Sequence, residues 1–200
     1  MVLKIAVLVL IVSGLGLADP IIFTIQGFGT GSVDTTAFNN VAFTFAVTTD
    51  TTSISSFTLP GGETGFQTPE VSGAGISIGG VGSGTFTDSE QMFALNTTKF
   101  AGIADFLGSP VPVSTDLLDG FNTSFLTYNL QSSIGPLPLT ALQGLNQFVD
   151  IPTSLGSVTF TLATGVFFTA DTGITPEPGT LVLGTAGALL LAGVKLARAR

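Results

Sequence analysis

Histidine and cysteine are both absent from this 200-residue chain. Without histidine, neither a Ser-His-Asp triad nor a Cys-His pair can form, and no imidazole can act as a general base near neutral pH. Without cysteine there are no disulfides, and the lack of both residue types removes the usual ligands of zinc and most transition metals. Any catalytic chemistry would therefore have to rest on carboxylates.

Basic residues are scarce, and most of them lie at the two ends of the chain. Of the five lysines and arginines only Lys99 lies within residues 19–173, where twelve acidic residues produce a net charge of −11. Proteins that bind nucleic acid neutralise phosphates with lysine and arginine, so we expect no nucleic-acid partner. The excess of acid favours solubility; the alternative is loose cation binding or charge matching to an extracellular polymer.

Tryptophan is also absent and there is one tyrosine, which removes the side chains on which glycoside hydrolases generally hold sugars. The closest acid pairs in sequence are Asp88 with Glu90 and Asp116 with Asp119, the candidates for an acid-only hydrolase. None of these acids lies in the D-x-D-x-D-G pattern of a calcium loop. We interpret them as solvated loop acids, and we predict a non-enzymatic protein with no catalytic residue, metal site or cofactor.

The first eighteen residues have the three parts of a secretory signal peptide. Lys4 supplies the positive charge, residues 5–12 are an unbroken apolar stretch, and Gly16 and Ala18 are small residues three and one positions before Asp19. We therefore predict a signal helix that is cleaved between Ala18 and Asp19. A retained anchor is the alternative, disfavoured because the apolar stretch is too short to span a bilayer.

Residues 174–200 combine a rigid tripeptide, an apolar stretch and a basic end. Pro176, Glu177 and Pro178 come first, residues 181–194 are apolar, and Lys195, Arg198 and Arg200 follow. As a helix the apolar stretch would cover roughly 21 Å, against a hydrocarbon layer of roughly 30 Å. We predict a short transmembrane helix in the inner membrane, with its basic end in the cytoplasm and residues 19–173 outside.

This order of features resembles the C-terminal signal of PEP-CTERM proteins, which are found in Gram-negative bacteria that make exopolysaccharide. In that family an exosortase-type sorting enzyme recognises the Pro-Glu-Pro, and the protein is released or re-attached outside the cell. The resemblance implies transient anchoring in the inner membrane, followed by residence at the cell surface or in the extracellular space. The basic residues are more dilute here than in the family's arginine-rich tail. An ordinary tail anchor or a buried hairpin helix is the alternative.

Residues 19–173 are expected to form an all-β body, a sandwich or barrel with at most one short helix. Runs rich in Val, Ile, Phe and Thr recur between Gly, Pro, Asn and Asp residues, and all 17 phenylalanines lie in this segment. The predicted strands cover residues 21–28, 41–48, 54–59, 71–78, 81–87, 92–95, 128–134, 156–162 and 165–170.

Three local patterns in this body make further predictions. Within residues 114–128, apolar side chains recur at three- and four-residue steps, which favours one short helix. Gly79 and Gly80 are typical of a hairpin turn, and residues 59–62 of a type II turn. The five prolines at positions 110, 112, 136, 138 and 152 cannot donate to a ladder, so they indicate loops or sheet edges.

The function expected from the sequence is that of a structural or adhesive component of the extracellular matrix or exopolysaccharide. From residue 25 to residue 170 the body is loosely similar to a non-enzymatic β-domain that accompanies such tails, through residues 82–88, 117–130 and 133–136. The alternative is a glycan- or ice-binding module, since tails of this kind are also catalogued with ice-binding proteins. Thr85-Phe86-Thr87 and Thr159-Phe160-Thr161 are fragments of the threonine rows that an ice-binding face would require.

Overall fold

Extended strands dominate the structure, a computed structural model that describes residues 19–106 and 114–173. Two short 3₁₀ turns, Thr51–Ser53 and Thr123–Thr127, are the helical segments of that part of the chain. The strands are β1 (Pro20–Val33), β2 (Thr36–Asp50), β3 (Ser55–Thr58), β4 (Thr64–Gln67), β5 (Val71–Ser72), β6 (Gly75–Ile78), β7 (Gly82–Thr85), β8 (Ser89–Leu95), β9 (Phe100–Phe106), β10 (Ser114–Phe121), β11 (Ile134–Pro138), β12 (Thr140–Gln143), β13 (Ile151–Thr153) and β14 (Gly156–Thr172). The predicted all-β class is confirmed.

The first sheet is built around three long antiparallel strands. Its order is β11-β14-β1-β2-β6-β7, and β13 also pairs with β14. β1 pairs with β2 on one side and with β14 on the other along almost its whole length. Alternation along β1 buries Ile21, Phe23 and Ile25 on one face and leaves Ile22 and Gln26 exposed on the other.

The second sheet is also antiparallel and has the order β12-β10-β9-β8-β4-β3, with β5 paired to β8. Its central strands β8 and β9 direct Met92, Ala94, Ala101 and Ile103 into the core. The two sheets share one buried cluster of side chains, so the body is sandwich-like.

Phenylalanine rings fill the centre of this core. Phe45 packs against other rings at centroid distances from 4.9 to 5.7 Å, those of Phe43, Phe86, Phe148 and Phe160. Phe43, Phe45 and Val47 are buried, as the alternation within residues 41–48 predicts. The ring of Phe125 in the second 3₁₀ turn lies 5.3 Å from that of Phe168 in β14 and at a steep angle to it.

Both predicted turns are present. The amide of Gly62 donates to the carbonyl of Leu59 at 3.1 Å, and Gly61 has a φ of +105°, as the third residue of a type II turn requires. Gly79 and Gly80, followed by Val81, connect β6 to β7, and Gly80 has a φ of +77°. Among the prolines, Pro136 and Pro138 lie in the edge strand β11, and Pro152 lies in the short strand β13.

The helix predicted for residues 114–128 is not formed, and that prediction is wrong. Strand β10 (Ser114–Phe121) occupies the first half, and the 3₁₀ turn Thr123–Thr127 follows. The register between β10 and β9 shifts between Asp116 and Leu118, and both Leu117 and Leu118 join the core. A β-bulge lets these two adjacent leucines both face the core. In the sequence, two neighbouring buried positions produce the same apolar spacing as a helix.

The strand predicted for residues 128–134 is also wrong, since β11 begins only at Ile134. The Tyr128 hydroxyl donates to the carbonyl of Ser132 at 2.9 Å, and Leu130 has a φ of +62°, so this stretch is a turn. The strands predicted for residues 156–162 and 165–170 are a single strand, β14. Its register against β1 shifts near Gly165, where φ is +56°.

The predicted terminal segments lie outside the described residues. They are the signal helix of residues 1–18 and the tail of residues 174–200. Within residues 19–106 and 114–173, no helix is long and apolar enough to cross a membrane.

Candidate functional site

The acidic residues of the second sheet form two clusters, one on each face. On the inner face, Glu90 of β8 lies directly opposite Asp105 of β9. Met92 and Ile103, the next residues on this face, belong to the core, so alternation directs both carboxyls inward. Glu90 is 0% exposed and Asp105 is 3% exposed. On its other side Glu90 pairs with Val71 of β5, an apolar neighbour.

Within the described residues, this inner cluster lacks the partners that a buried carboxylate needs. In residues 19–106 and 114–173, neither side-chain oxygen of Glu90 has a hydrogen-bond partner, and Oδ1 of Asp105 has none either. Burial, with smaller contributions from the charges of Asp105 and Asp88, raises the pKa of Glu90 from 4.5 to about 9. Burial and the charge of Asp88 also raise the pKa of Asp105. Glu90 is therefore protonated and neutral at pH 7.

The second cluster lies on the outer face of the same sheet. Asp116 pairs with Ala104 and Asp119 with Gly102, and the bulge between them places two acids three residues apart on the same face. Asp119 is 4% exposed, and its Oδ1 has no hydrogen-bond partner in the part of the chain that the structure describes. Burial, followed by the charge of Asp116, raises the pKa of Asp119 to about 7, although a backbone hydrogen bond opposes the shift. Burial likewise raises the pKa of Asp116.

These positions correct the interpretation of the four acids as solvated loop residues. Glu90, Asp116 and Asp119 lie in strands, and two of them are buried; only Asp88 lies between strands. Closeness in the sequence correctly indicated that Asp116 and Asp119 are neighbours in the fold. It did not indicate the partner of Glu90, which is Asp105, fifteen residues away in the sequence. The alternation Glu90, Met92, Ala94 along β8 was the available signal that Glu90 faces the core.

Burial limits what these acids can do. A polysaccharide or a peptide cannot reach side chains that are less than 5% exposed, so the carboxyls of Glu90, Asp105 and Asp119 do not contact a large solute. In the part of the chain that the structure describes, no group of three or more acidic residues is arranged to hold a metal ion.

The outer face of the first sheet is almost free of charge. Its strands contain no lysine or arginine, and their only acids are Asp50 and Asp171. Asp50 pairs with Pro20 and Asp171 with Ile22, so both lie at one end of the sheet. In a body with a net charge of −11, this leaves a long surface of uncharged side chains.

Large apolar side chains are exposed along the centre of this face. Of the eight large hydrophobic residues that are exposed among the described residues, four lie here, Ile22 and Phe28 in β1 and Leu162 and Phe167 in β14. Gln26 lies directly opposite Phe167. We call these five residues the β1–β14 stripe. Threonine hydroxyls accompany these five residues. Thr24 and Thr169 face each other within the stripe, and Thr44 borders it as the neighbour of Gln26 on β2.

Sequence reasoning missed the stripe because it assigned phenylalanine to packing. The signal was present in β1, where Ile21, Phe23 and Ile25 define one face and Ile22 and Phe28 fall on the other. The residues predicted to act in sorting, Pro176, Glu177 and Pro178, lie outside the described residues, as do Ala18, Lys195, Arg198 and Arg200. Asp19, predicted to begin the mature chain, is exposed and precedes β1.

Comparison with known proteins found no relative of this chain. No protein-family model matches it, and neither a curated protein nor a solved structure is significantly similar to it.

Proposed function

We propose that this chain is an exported, non-enzymatic protein that is sorted by a PEP-CTERM type signal and serves as a structural or adhesive component of the extracellular matrix or exopolysaccharide. The signal peptide directs export, and the tail anchors the chain in the inner membrane until an exosortase-type enzyme acts on it. The β-sandwich then resides at the cell surface or in the extracellular space.

The observation that carries this proposal is the order of features in residues 174–200. A Pro-Glu-Pro, a short apolar stretch and basic residues follow one another there, and a signal peptide pattern stands at the opposite end. The body between them has the properties expected of a protein outside the cell, since it has no cysteine to oxidise and a high negative charge that keeps it soluble.

The burial of the acidic side chains supports a non-enzymatic role. The carboxyls of Glu90, Asp105 and Asp119 are paired with other acids, but they are almost completely buried. A glycosidase requires two carboxyls that both reach the scissile bond of a bound sugar. These buried acids are therefore better explained as structural groups than as a catalytic pair.

The β1–β14 stripe favours glycan binding over ice binding as the second candidate function. An ice-binding face would present threonines at regular spacing, but β1 presents Ile22, Thr24, Gln26 and Phe28 in turn. Exposed aromatic and amide groups are instead suited to sugars. If the purified protein showed thermal hysteresis, ice binding would be the better account.

Localisation of tail variants tests the proposal. The chain would be expressed in a host with an exosortase-type enzyme and in an otherwise identical strain without it. We expect the wild-type body outside the inner membrane in the first strain and in the inner membrane in the second. The Glu177→Ala variant should stay in the inner membrane in both, while the neighbouring control Thr175→Ala should behave as wild type. Identical distributions in the two strains would contradict sorting and favour an ordinary tail anchor.

A further inference from the structure

The geometry points to the β1–β14 stripe as a binding surface for a linear, uncharged polysaccharide whose chain lies along β1 and β14. This inference rests on the proposed function and deepens it, because it names the class of polymer to which the body adheres and the residues that would contact it.

The stripe has the chemical groups that a sugar requires. Phe28 is 50% exposed and Phe167 is 38% exposed, so both offer apolar area to the C–H faces of sugar rings. Gln26, exposed between them, can both donate and accept hydrogen bonds. The hydroxyls of Thr24, Thr169 and Thr44 lie beside these side chains on neighbouring strands and add further donors and acceptors.

These two rings are not needed for the aromatic packing of the core. Within residues 19–106 and 114–173, neither Phe28 nor Phe167 takes part in the ring pairs that join Phe43, Phe45, Phe86, Phe148 and Phe160. The one tyrosine, Tyr128, is buried. Phenylalanine is therefore the aromatic residue that this face presents in place of tryptophan or tyrosine.

The shape of the stripe fits an extended chain. Its side chains follow one strand pair from Ile22 to Leu162, which lies opposite Thr30. Eight residue steps along β1 correspond to roughly 27 Å. A narrow apolar line of that length, bordered by hydroxyls, matches a linear polymer better than a compact small molecule.

The distribution of charge selects an uncharged polymer. A polyanion would be repelled by a body with a net charge of −11, and it would find no lysine or arginine in the strands of the first sheet. A second copy of the body, residues 19–173, would bring another −11 to the contact. An uncharged polysaccharide would be repelled in neither way, so the charge distribution favours it as the ligand of the stripe.

Affinity electrophoresis of the full-length chain in a nonionic detergent tests this inference. The gels would contain hydroxyethyl cellulose, laminarin, dextran or galactomannan as uncharged polymers, or alginate as the anionic one. We expect at least one uncharged polymer, and not alginate, to retard the wild-type chain. The double variant Phe28→Ala/Phe167→Ala should bind that polymer about tenfold more weakly or worse, and Gln26→Ala should weaken it as well.

The matched control removes two apolar side chains elsewhere that are at least as exposed as Phe28 and Phe167. Leu126 is 54% exposed and Val149 is 52% exposed, and neither lies on the outer face of the first sheet. The variant Leu126→Ala/Val149→Ala should be retarded like the wild type. Thermal unfolding of each variant confirms that it is folded.

Four results would overturn the inference. They are the absence of retardation by all four uncharged polymers, an equal loss of binding in the control variant, preferential binding of alginate, and a concentration-dependent dimer that the Phe28→Ala/Phe167→Ala variant abolishes. The last would assign the stripe to self-association. Because the purified chain meets no sorting enzyme in this experiment, these results are independent of whether the tail is processed in the cell.

Discussion

Glu90 lies directly opposite Asp105 across the β8–β9 pair, with both side chains directed into the core. Two carboxylates at adjacent positions on one sheet face would repel each other, and burial would add the cost of removing both charges from water. The protein avoids this cost by keeping Glu90 protonated, which makes its stability dependent on pH in an unusual direction.

Replacing Glu90 with glutamine should stabilise the protein at alkaline pH. In the folded state the pKa of Glu90 is raised from 4.5 to about 9, so between these values the folded chain holds a proton that the unfolded chain has lost. The stabilisation that this proton gives the folded state is complete below pH 4.5. It is lost as the pH rises through 9, and the free energy of unfolding falls by up to about 1.4 kcal/mol per pH unit. We expect Glu90→Gln to match wild type at pH 4 and to exceed it by at least about 1 kcal/mol at pH 8 in urea unfolding.

The control for this experiment is Glu70→Gln, which changes an exposed acid just before β5. This variant keeps Glu90, so the loss of stability that Glu90 causes as the pH rises toward 9 should persist in it. A wild-type stability that is flat or rises between pH 5 and 8 would show that Glu90 ionises freely in the folded protein.

Asp119 should titrate near neutral pH in the folded protein. Its pKa is raised from 3.8 to about 7, mainly by burial and then by Asp116. The proton that Asp119 holds in the folded state therefore stabilises the protein fully below pH 3.8, and this stabilisation is lost as the pH rises through 7. Carboxyl carbon chemical shifts followed by NMR from pH 3 to pH 10 should show this midpoint, and it should fall in an Asp116→Asn variant. A midpoint below 5 would place Asp119 in contact with solvent.

The parts of the fold that could be predicted were those with strict alternation. Residues 41–48 alternate without interruption, and their core face in β2 is the predicted one. β9 escaped prediction because its glycine and alanines have little β-propensity, and its place between β8 and β10 depends on pairing with distant residues.

The candidate site was less predictable than the fold. That Glu90 faces Asp105 depends on the register of two strands joined by a turn at Lys99, which the residue pattern does not specify. The exposure of Phe28 depends on which side of β1 faces the second sheet. Both are properties of the assembled sandwich, so local composition alone does not contain them.

Truncating Phe45 should be among the most destabilising single changes in this body. Its ring is 1% exposed and contacts several others, so Phe45→Ala leaves a cavity that costs about 3–5 kcal/mol. The same change at the exposed Phe28 should cost less than about 1 kcal/mol. Chemical denaturation of both variants checks the difference, and similar losses would contradict the assignment of Phe28 to the surface.

Gly144 should tolerate alanine less well than Gly73 does. Both have positive φ, +84° and +74°, so alanine is strained by about 1–2 kcal/mol at either position. At Gly144 the added Cβ would also lie 2.7 Å from the carbonyl oxygen of Asp116, whereas at Gly73 it would meet nothing within 4 Å. Thermal unfolding should therefore show a clearly larger loss for Gly144→Ala, and equal losses would contradict the packing of this loop on β10.

The most direct test of the central claim is the intact mass of the protein recovered from outside the cell of a host that has an exosortase-type enzyme. Export and sorting predict a chain that begins at Asp19 and ends near Pro176, Glu177 or Pro178. A chain recovered there that still carries residues 1–18 or extends to Arg200 would contradict the account.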